Sequence, residues 1–405
     1  MRVWYIALLP RKIASTLFTN LLPLYVAYTL GRDSVDVGVV AASVWLAYIP
    51  GSFIWGYLAD RTRRCRFITV SSIIVYSILL ILFTRVGGLL DLVALCLLIG
   101  FFGSAIPPVE DILIAEGSSR DEWCEESRSY GIVSEIGDLL GLAMGALVLS
   151  FYEHVQVVYL CGFLALSSAL ASLIFVEDPM IMVERKMVRL ERCIGSVEKL
   201  SMILVSQDLY GERIARLAYP RIGVDPSRSI LFFGIGALTF TMATDAIFTF
   251  IAIYLCRVLG IPQSIAFTIL LLNEIGSIAG YILFKDVYEY YGSYRSLRLS
   301  AFIRAILILT LIPCGYLPYI AAVIVDTIIL MVVGIFYTLF ALSSRVVRME
   351  MIPEGWMGLY ACLTRIGSIA GMAMGGYIVT QYGFDHLFTI AGILFLSSCI
   401  LFHLA

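Results

Sequence analysis

Apolar runs of about 20 residues, separated by short charged loops, leave this chain one class of fold, because that length of helix crosses the hydrocarbon of a bilayer. Twelve such runs are predicted. They cover 5–30, 37–58, 67–85, 92–114, 129–151 and 155–176, then 229–256, 264–284, 297–315, 319–343, 357–381 and 385–404. The first is interrupted by Arg11 and Lys12, so either the span starts after Lys12 or those cations sit in a polar cavity. The bulk composition agrees: of 405 residues, 60% are hydrophobic and 14% charged. A soluble domain carries about 25% charge, so the apolar excess must face lipid. The expected class is an all-α membrane protein. A net charge of −2 with no basic tail gives no reason to expect nucleic acid. The nine cysteines lack paired spacing and read as small buried hydrophobes rather than disulfides. The apolar stretch 3–9 is too short for a cleavable signal peptide.

The stretch 177–228 differs in composition, with nine basic residues and no long apolar run. Near 182–204 its apolar residues fall at helical spacing, which fits an amphipathic helix on the inner membrane surface. A flexible tether fits equally well. The expected division is therefore 1–176, 177–228 and 229–405. Numbering the spans with the N-terminus inside places most of the 28 Lys and Arg in cytoplasmic segments. Arg32, Arg85 and Arg257 fall outside, and Arg11, Lys12, Arg304 and Arg365 lie in or at the membrane. That asymmetry puts both termini in the cytoplasm. The expected location is the cell membrane, as a multi-pass protein.

One loop carries more than topology. Gly56-Tyr57-Leu58-Ala59-Asp60-Arg61-Thr62-Arg63-Arg64-Cys65-Arg66 joins the second and third runs with four arginines and an aspartate that a pure topology signal does not need. It resembles the signature between helices 2 and 3 of the major facilitator superfamily, roughly Gly-x-Leu-Ala-Asp-Arg-x-Gly-Arg-Arg. Arg63 stands here at the inner glycine. The resemblance implies twelve helices in two pseudo-symmetric six-helix halves, with helices 1, 4, 7 and 10 lining a central cavity. It also implies that helix 2 packs on helix 11, and helix 5 on helix 8.

The halves echo each other. Gly137, Gly141 and Gly145 recur 230 positions later as Gly367, Gly371 and Gly375, and Gly56-Tyr57 recurs 224 positions later as Gly280-Tyr281. The segment 285–298 looks like a decayed copy of the charged hairpin. Two halves of like orientation form the parallel repeat expected of the superfamily. Glycines four apart share a helix face and let backbones approach closely. Such rows suit the sliding surface between the halves, or static packing. The fifth run lacks the proline that accompanies the glycine signature of many exporters, which weakens the exporter assignment.

Ionisable residues inside a span are costly and point to function. One group lies near the cytoplasmic ends. The resemblance places Asp60 near the start of helix 11 and Glu135 near the end of helix 8. The expected gate pairs Asp60 with Arg365 or the helix-11 N-terminus, and Glu135 with Lys285, with Gly56, Arg61 and Arg64 completing the motif. The alternative is a permanent clamp. Glu110, Asp111 and Glu116 are expected partners for Arg63, Arg64 or Arg66. A deeper group holds Asp245, Glu274 and Asp326, with Asn20 adding neutral polarity. A low-dielectric site disfavours the charged form of a carboxylate, so these are the candidate proton or substrate sites. For each, pairing for structure alone is the alternative.

The chain has no Gly-x-x-x-x-Gly-Lys-Ser/Thr phosphate loop, and His154, His386 and His403 are far apart. No enzyme activity, cofactor or metal is expected. The expected partners are a small-molecule substrate, protons and the lipid bilayer, and the expected state is a monomer. Three functions stand open: proton-coupled export of lipophilic or cationic compounds, favoured by buried acids with few buried bases; uptake of a small metabolite by uniport or symport; and a non-transporting sensor or scaffold on the same fold.

Overall fold

The structure is a computed structural model that describes residues 3–62, 64–117, 123–178, 226–351 and 357–405. The expected amphipathic helix near 182–204 and residues Arg63, Arg120 and Arg221 lie outside these. The described residues contain helices and no strand. In the first half, α1 (Val3–Leu24) runs into a π-helical turn, Tyr25–Thr29, and is followed by α2 (Ser34–Thr62), α3 (Cys65–Phe83), α4 (Leu89–Gly103), α5 (Ile106–Gly117), α6 (Trp123–Val148) and α7 (His154–Phe175). The second half holds α8 (Pro226–Phe248), α9 (Ile251–Arg257), α10 (Gln263–Leu309), α11 (Leu311–Cys314), α12 (Tyr319–Met351), α13 (Met357–Tyr382) and α14 (Phe384–Leu404). Eleven described segments are long and apolar enough to cross a membrane. The twelfth span is α1, whose Pro10, Arg11 and Lys12 lower its hydropathy, and which packs between α6 and α7.

Most span ends agree with the hydropathy reading to within four residues, but the ninth span starts at Tyr290 rather than 297, the tenth runs to Arg348 rather than 343, and three spans are broken where that reading has none. The fourth is split between α4 and α5 around Ser104–Ala105, just before Pro107 and Pro108. The seventh is split between α8 and α9 at Thr249–Phe250, where the Phe250 N–H turns to Ile247 O instead of continuing the ladder. The ninth is interrupted at Thr310, between α10 and α11. Pro23 has no N–H to donate, and the π turn begins two residues after it. The expected charged loop over 285–298 is mostly helix: α10 runs on until Gly292, whose φ of 72° breaks the helical conformation and separates the eighth and ninth spans. Only glycine adopts that conformation without a steric cost.

The two halves repeat each other down to single bonds. Gly31 and Gly260 both take positive φ after the first and seventh spans. In each turn a six-residue return bond closes the helix end, Arg32 N–H to Val26 O and Ile261 N–H to Leu255 O, both 3.1 Å. The Ser168 hydroxyl donates to Ala7 O at 2.6 Å, and 230 positions on Ser398 donates to Gly236 O at 2.8 Å. These ties join α7 to α1 and α14 to α8. The halves meet along two seams, α2 against α13 and α6 against α10, with a smaller contact of α1 on α9. These are the pairings that the family resemblance implies.

Candidate transport cavity

Between the halves lies a cavity of about 370 Å³. Its first-half wall begins on α1. Arg11, Ser15 and Thr19 fall four residues apart and so share one face, with Lys12 and Asn20 beside them, and all five line the cavity. The two cations that interrupt the first apolar run therefore sit in a polar cavity, inside the span rather than before it. Lys12 pairs with Asp138 of α6 at 3.0 Å, and Thr16 donates to the same carboxylate. The Arg11 guanidinium donates to Gly103 O at 2.7 Å, a carbonyl freed by the break between α4 and α5. It also lies 5.8 Å from the Tyr76 ring centroid. Tyr130 of α6 donates to Glu110, and Asn20 donates to Thr16 O at 2.9 Å.

The second-half wall centres on Asp245, one turn before the break that ends α8. Thr249, on the same face, donates to the Asp245 carbonyl at 2.7 Å and also lines the cavity. Ser368 and Arg365 from α13, Arg304 from α10 and Tyr337 from α12 lie near the Asp245 carboxyl, all four outside the cavity lining. Arg365 lies 4.3 Å from the Trp45 ring and 5.4 Å from Tyr48, two aromatics of the α2 wall. Arg304 is fully buried, donates to Thr244 at 3.2 Å, and is caged by Phe240, Phe248, Tyr337 and Phe395 at 4.9–5.8 Å. Its Nε and Nη2 have no hydrogen-bond partner among the described residues.

The other expected site residues divide. Glu274 of α10 faces Glu135 of α6 within hydrogen-bonding reach, and Tyr281 donates to Glu135 at 3.3 Å. This group sits on the second seam, outside the cavity lining. The Lys285 side chain lies outside the described atoms. Asp326 is fully buried inside the second half, where Tyr254 donates to it at 3.2 Å, and it does not line the cavity. Asp60 and Arg365 are not brought together. Asp60 lies at the exposed end of α2, 15 residues beyond Trp45, which is about 22 Å along a helix. Arg61 donates to its own neighbour Tyr57 at 2.7 Å, and the Arg64 N–H lies 3.5 Å from Thr62 Oγ1. Arg66 binds neither Glu110 nor Asp111. Its side chain donates to Val176 O at 2.5 Å and its backbone N–H to Asp178 at 2.7 Å, so the hairpin grips the chain leaving α7. Gly56 is uncrowded, with a built Cβ 3.7 Å from Pro108.

The glycine rows do not form the surface between the halves; they pack inside each half. Gly137 and Gly141 face Lys12 and Ile13 of α1, while Gly367, Gly371 and Gly375 face Leu238, Met242 and Ala246 of α8. Gly145 alone also meets the other half, at Phe267. The backbone-to-backbone approach between the halves belongs to glycines outside the rows. A Cβ on Gly38 would lie 2.5 Å from Met372 O, and one on Gly376 would strike Ser34 O. Arg304 was legible only as a cation within a span; nothing in the sequence near it marks the four rings, which come from three other helices.

The family model of the Major Facilitator Superfamily matches residues 5–364. Among curated proteins, an uncharacterized MFS-type transporter, MJ1560 of Methanocaldococcus jannaschii, is 24% identical over 152 residues, 38% of this chain and 39% of that protein. The multidrug resistance protein MdtG of Serratia proteamaculans is 27% identical over 178 residues, 43% of each chain. The chain thus spans about two fifths of the length of the curated relatives it matches. Among solved structures, the nucleoside transporter NupG superposes with a TM-score of 0.74 at 16% identity, covering 99% of this chain and 97% of that one. That likeness shows the twelve-helix fold.

Proposed function

The chain belongs to the Major Facilitator Superfamily, and from that premise we propose that it is a secondary transporter that moves a small molecule by alternating access, coupled to protons through Asp245. The observation that carries this reading is the place of Asp245. Of the three deep carboxylates, it is the one on the wall of the cavity between the halves. A carboxylate there meets substrate and water together, and its protonation changes the balance of charge with Arg304 and Arg365. Asp326 and Glu274 are further proton sites in this proposal, each acting from outside the cavity, and Asn20 is a substrate contact.

Export is the proposed direction, supported by the partial likeness to a multidrug resistance protein. Uptake is the second reading, and one observation favours it. Arg11 and Lys12 line the cavity, so the few-bases argument for cationic cargo does not hold there. The divisions 1–176, 177–228 and 229–405, cytoplasmic termini, a cell-membrane location and a monomer belong to the same proposal. So does the gate of Gly56, Asp60, Arg61, Arg64, Glu135, Lys285 and Arg365. In that gate the proposed partner of Asp60 is the N-terminus of α13, since Arg365 lies on Trp45, about 22 Å away along α2.

The test is proton flux by purified protein in dye-loaded liposomes, against a panel of lipophilic cations, sugars and organic acids. A substrate-dependent pH change that Asp245→Asn abolishes is the expected result. Substrate uptake without a pH change would retire Asp245 as a proton carrier. Asp60→Asn is expected to slow transport; a parental rate would remove the gate.

A further inference from the structure

We infer that Arg257, laid on Tyr28, bolts the cavity shut at the end remote from the chain termini, and so sets how often the resting molecule faces that way. The inference deepens the alternating-access reading proposed above and rests on it. Its starting point is the three arginines expected on that side, Arg32, Arg85 and Arg257. Two are held within the first half. Arg32 bonds Gly87 O at 2.9 Å and pairs with Asp36, and Arg85 lies within hydrogen-bonding reach of Tyr159. Arg257, at the tip of α9, crosses to the other half. Its guanidinium lies 5.6 Å from the centroid of the Tyr28 ring, within hydrogen-bonding reach of that residue.

The repeat fixes where this contact stands. The return bonds that close the first and seventh spans, Arg32 to Val26 and Ile261 to Leu255, are offset by 229 positions. Tyr28 and Arg257 differ by the same 229, each three residues before a positive-φ glycine, Gly31 and Gly260. They are the same position in the two halves. In a parallel repeat the axis relating the halves runs along the membrane normal. A residue and its counterpart touch only at that axis, so the Arg257–Tyr28 contact stands over the middle of the cavity.

Beneath it is a seal. The cavity lining ends at Pro23 on the first span and at Ala252 on the seventh, again equivalent positions. Each lies five residues short of the contact, about 7.5 Å of helix. The residues between, 24–27 and 253–255, are buried and mainly apolar. In the other direction the lining reaches Lys12 and Glu110, toward the termini. An apolar seal keeps water out but has little directional bonding to hold it closed. Arg257 supplies that bond from the surface. Beside it, Thr29 Oγ1 lies 2.9 Å from His154 Nδ1, and Gln263 of α10 lies against the same imidazole, a second contact between the halves. A cation on a water-exposed ring is a weak bond, which suits a bolt that parts in every cycle.

The test reads which face the cavity opens to and needs no substrate. Ser15→Cys places a thiol on the cavity wall. The full-length chain, with a C-terminal tag to identify the faces, is treated with a membrane-impermeant maleimide in sealed vesicles of either orientation. Labelling of the native cysteines is subtracted. With Ser15→Cys alone, labelling is expected to be faster from the terminal face. Arg257→Gln and Tyr28→Leu should each raise the far-face rate by about two- to fivefold, the range of an exposed cation–ring contact. The double variant should raise it no further, because both changes remove one contact. Arg32→Gln, whose bonds stay within one half, should leave it unchanged. Retained terminal-face labelling reports that each variant is folded. Faster labelling from the far face without a latch variant, a far-face rate that neither variant raises, or effects that simply add would overturn the inference. Because no transport is required, failure here with intact proton flux removes the bolt alone. The expected labelling with no flux for any substrate keeps the bolt and counts against the transport reading.

Discussion

The two seams between the halves are built on different chemistry. Along α2 and α13 the backbones meet at Gly38 and Gly376, with no room there for a side chain, and Arg365 lies on Trp45 and Tyr48 further along. Along α6 and α10 it is a polar group of Glu135, Glu274 and Tyr281, with Phe267 wedged on Gly145. Shape holds the first seam, and shape does not titrate. The second depends on two carboxyls at hydrogen-bonding reach, which cannot both be ionised without repelling each other. The contrast suggests a division of labour: one seam is a fixed fulcrum and the other responds to protons.

Three measurements can break or sharpen that contrast. The largest effect is expected at the fulcrum. Gly376→Val places a branched side chain against the Ser34 backbone, and overpacking of that kind costs about 1–3 kcal/mol. Transport should fall by about tenfold or more, at about 1.4 kcal/mol per factor of ten, and should not recover at any pH. Recovery on acidification would show that this seam also responds to protons. The middle effect is Glu274→Gln. Glutamine still offers an N–H to Glu135 but holds no shared proton. Distances between spin labels on α6 and α10 should widen with alkalinity in the parent and stay fixed in the variant. A parent seam indifferent to pH would end the comparison. The smallest effect is Tyr281→Phe, which removes one half-exposed bond of 3.3 Å. A loss of about 0.5 kcal/mol is expected, seen as a thermal midpoint lower by about 1 °C. A larger fall would make the hydroxyl, not the carboxyl pair, the main fastener.

Much of this architecture can be read without coordinates, and the reason is physical. Span length is set by bilayer thickness, so apolar runs announce themselves, and the repeat survives in Gly137 and Gly367 because close helix packing tolerates little else. Direction is another matter. Periodicity says which residues share a face but not which neighbour the face meets. The glycine rows turned out to face α1 and α8, and Asp326 turned away from the cavity toward Tyr254. The break at Thr249–Phe250 beside Asp245 has no proline or glycine to mark it. Pro107 and Pro108 follow the break after α4, a signal the hydropathy reading passed over, and it is this break that presents Gly103 O to Arg11. The Ser168 and Ser398 ties were equally out of reach, since a serine in a span looks the same whether it bonds its own helix or the next.

The turn at Gly292 has a mechanical consequence. It reverses the chain without a loop, so the eighth and ninth spans form one bent rod. One arm carries Glu274 at the second seam, and the other carries Arg304 near Asp245. Movement of either arm must therefore be followed by the other or taken up as rotation at Gly292.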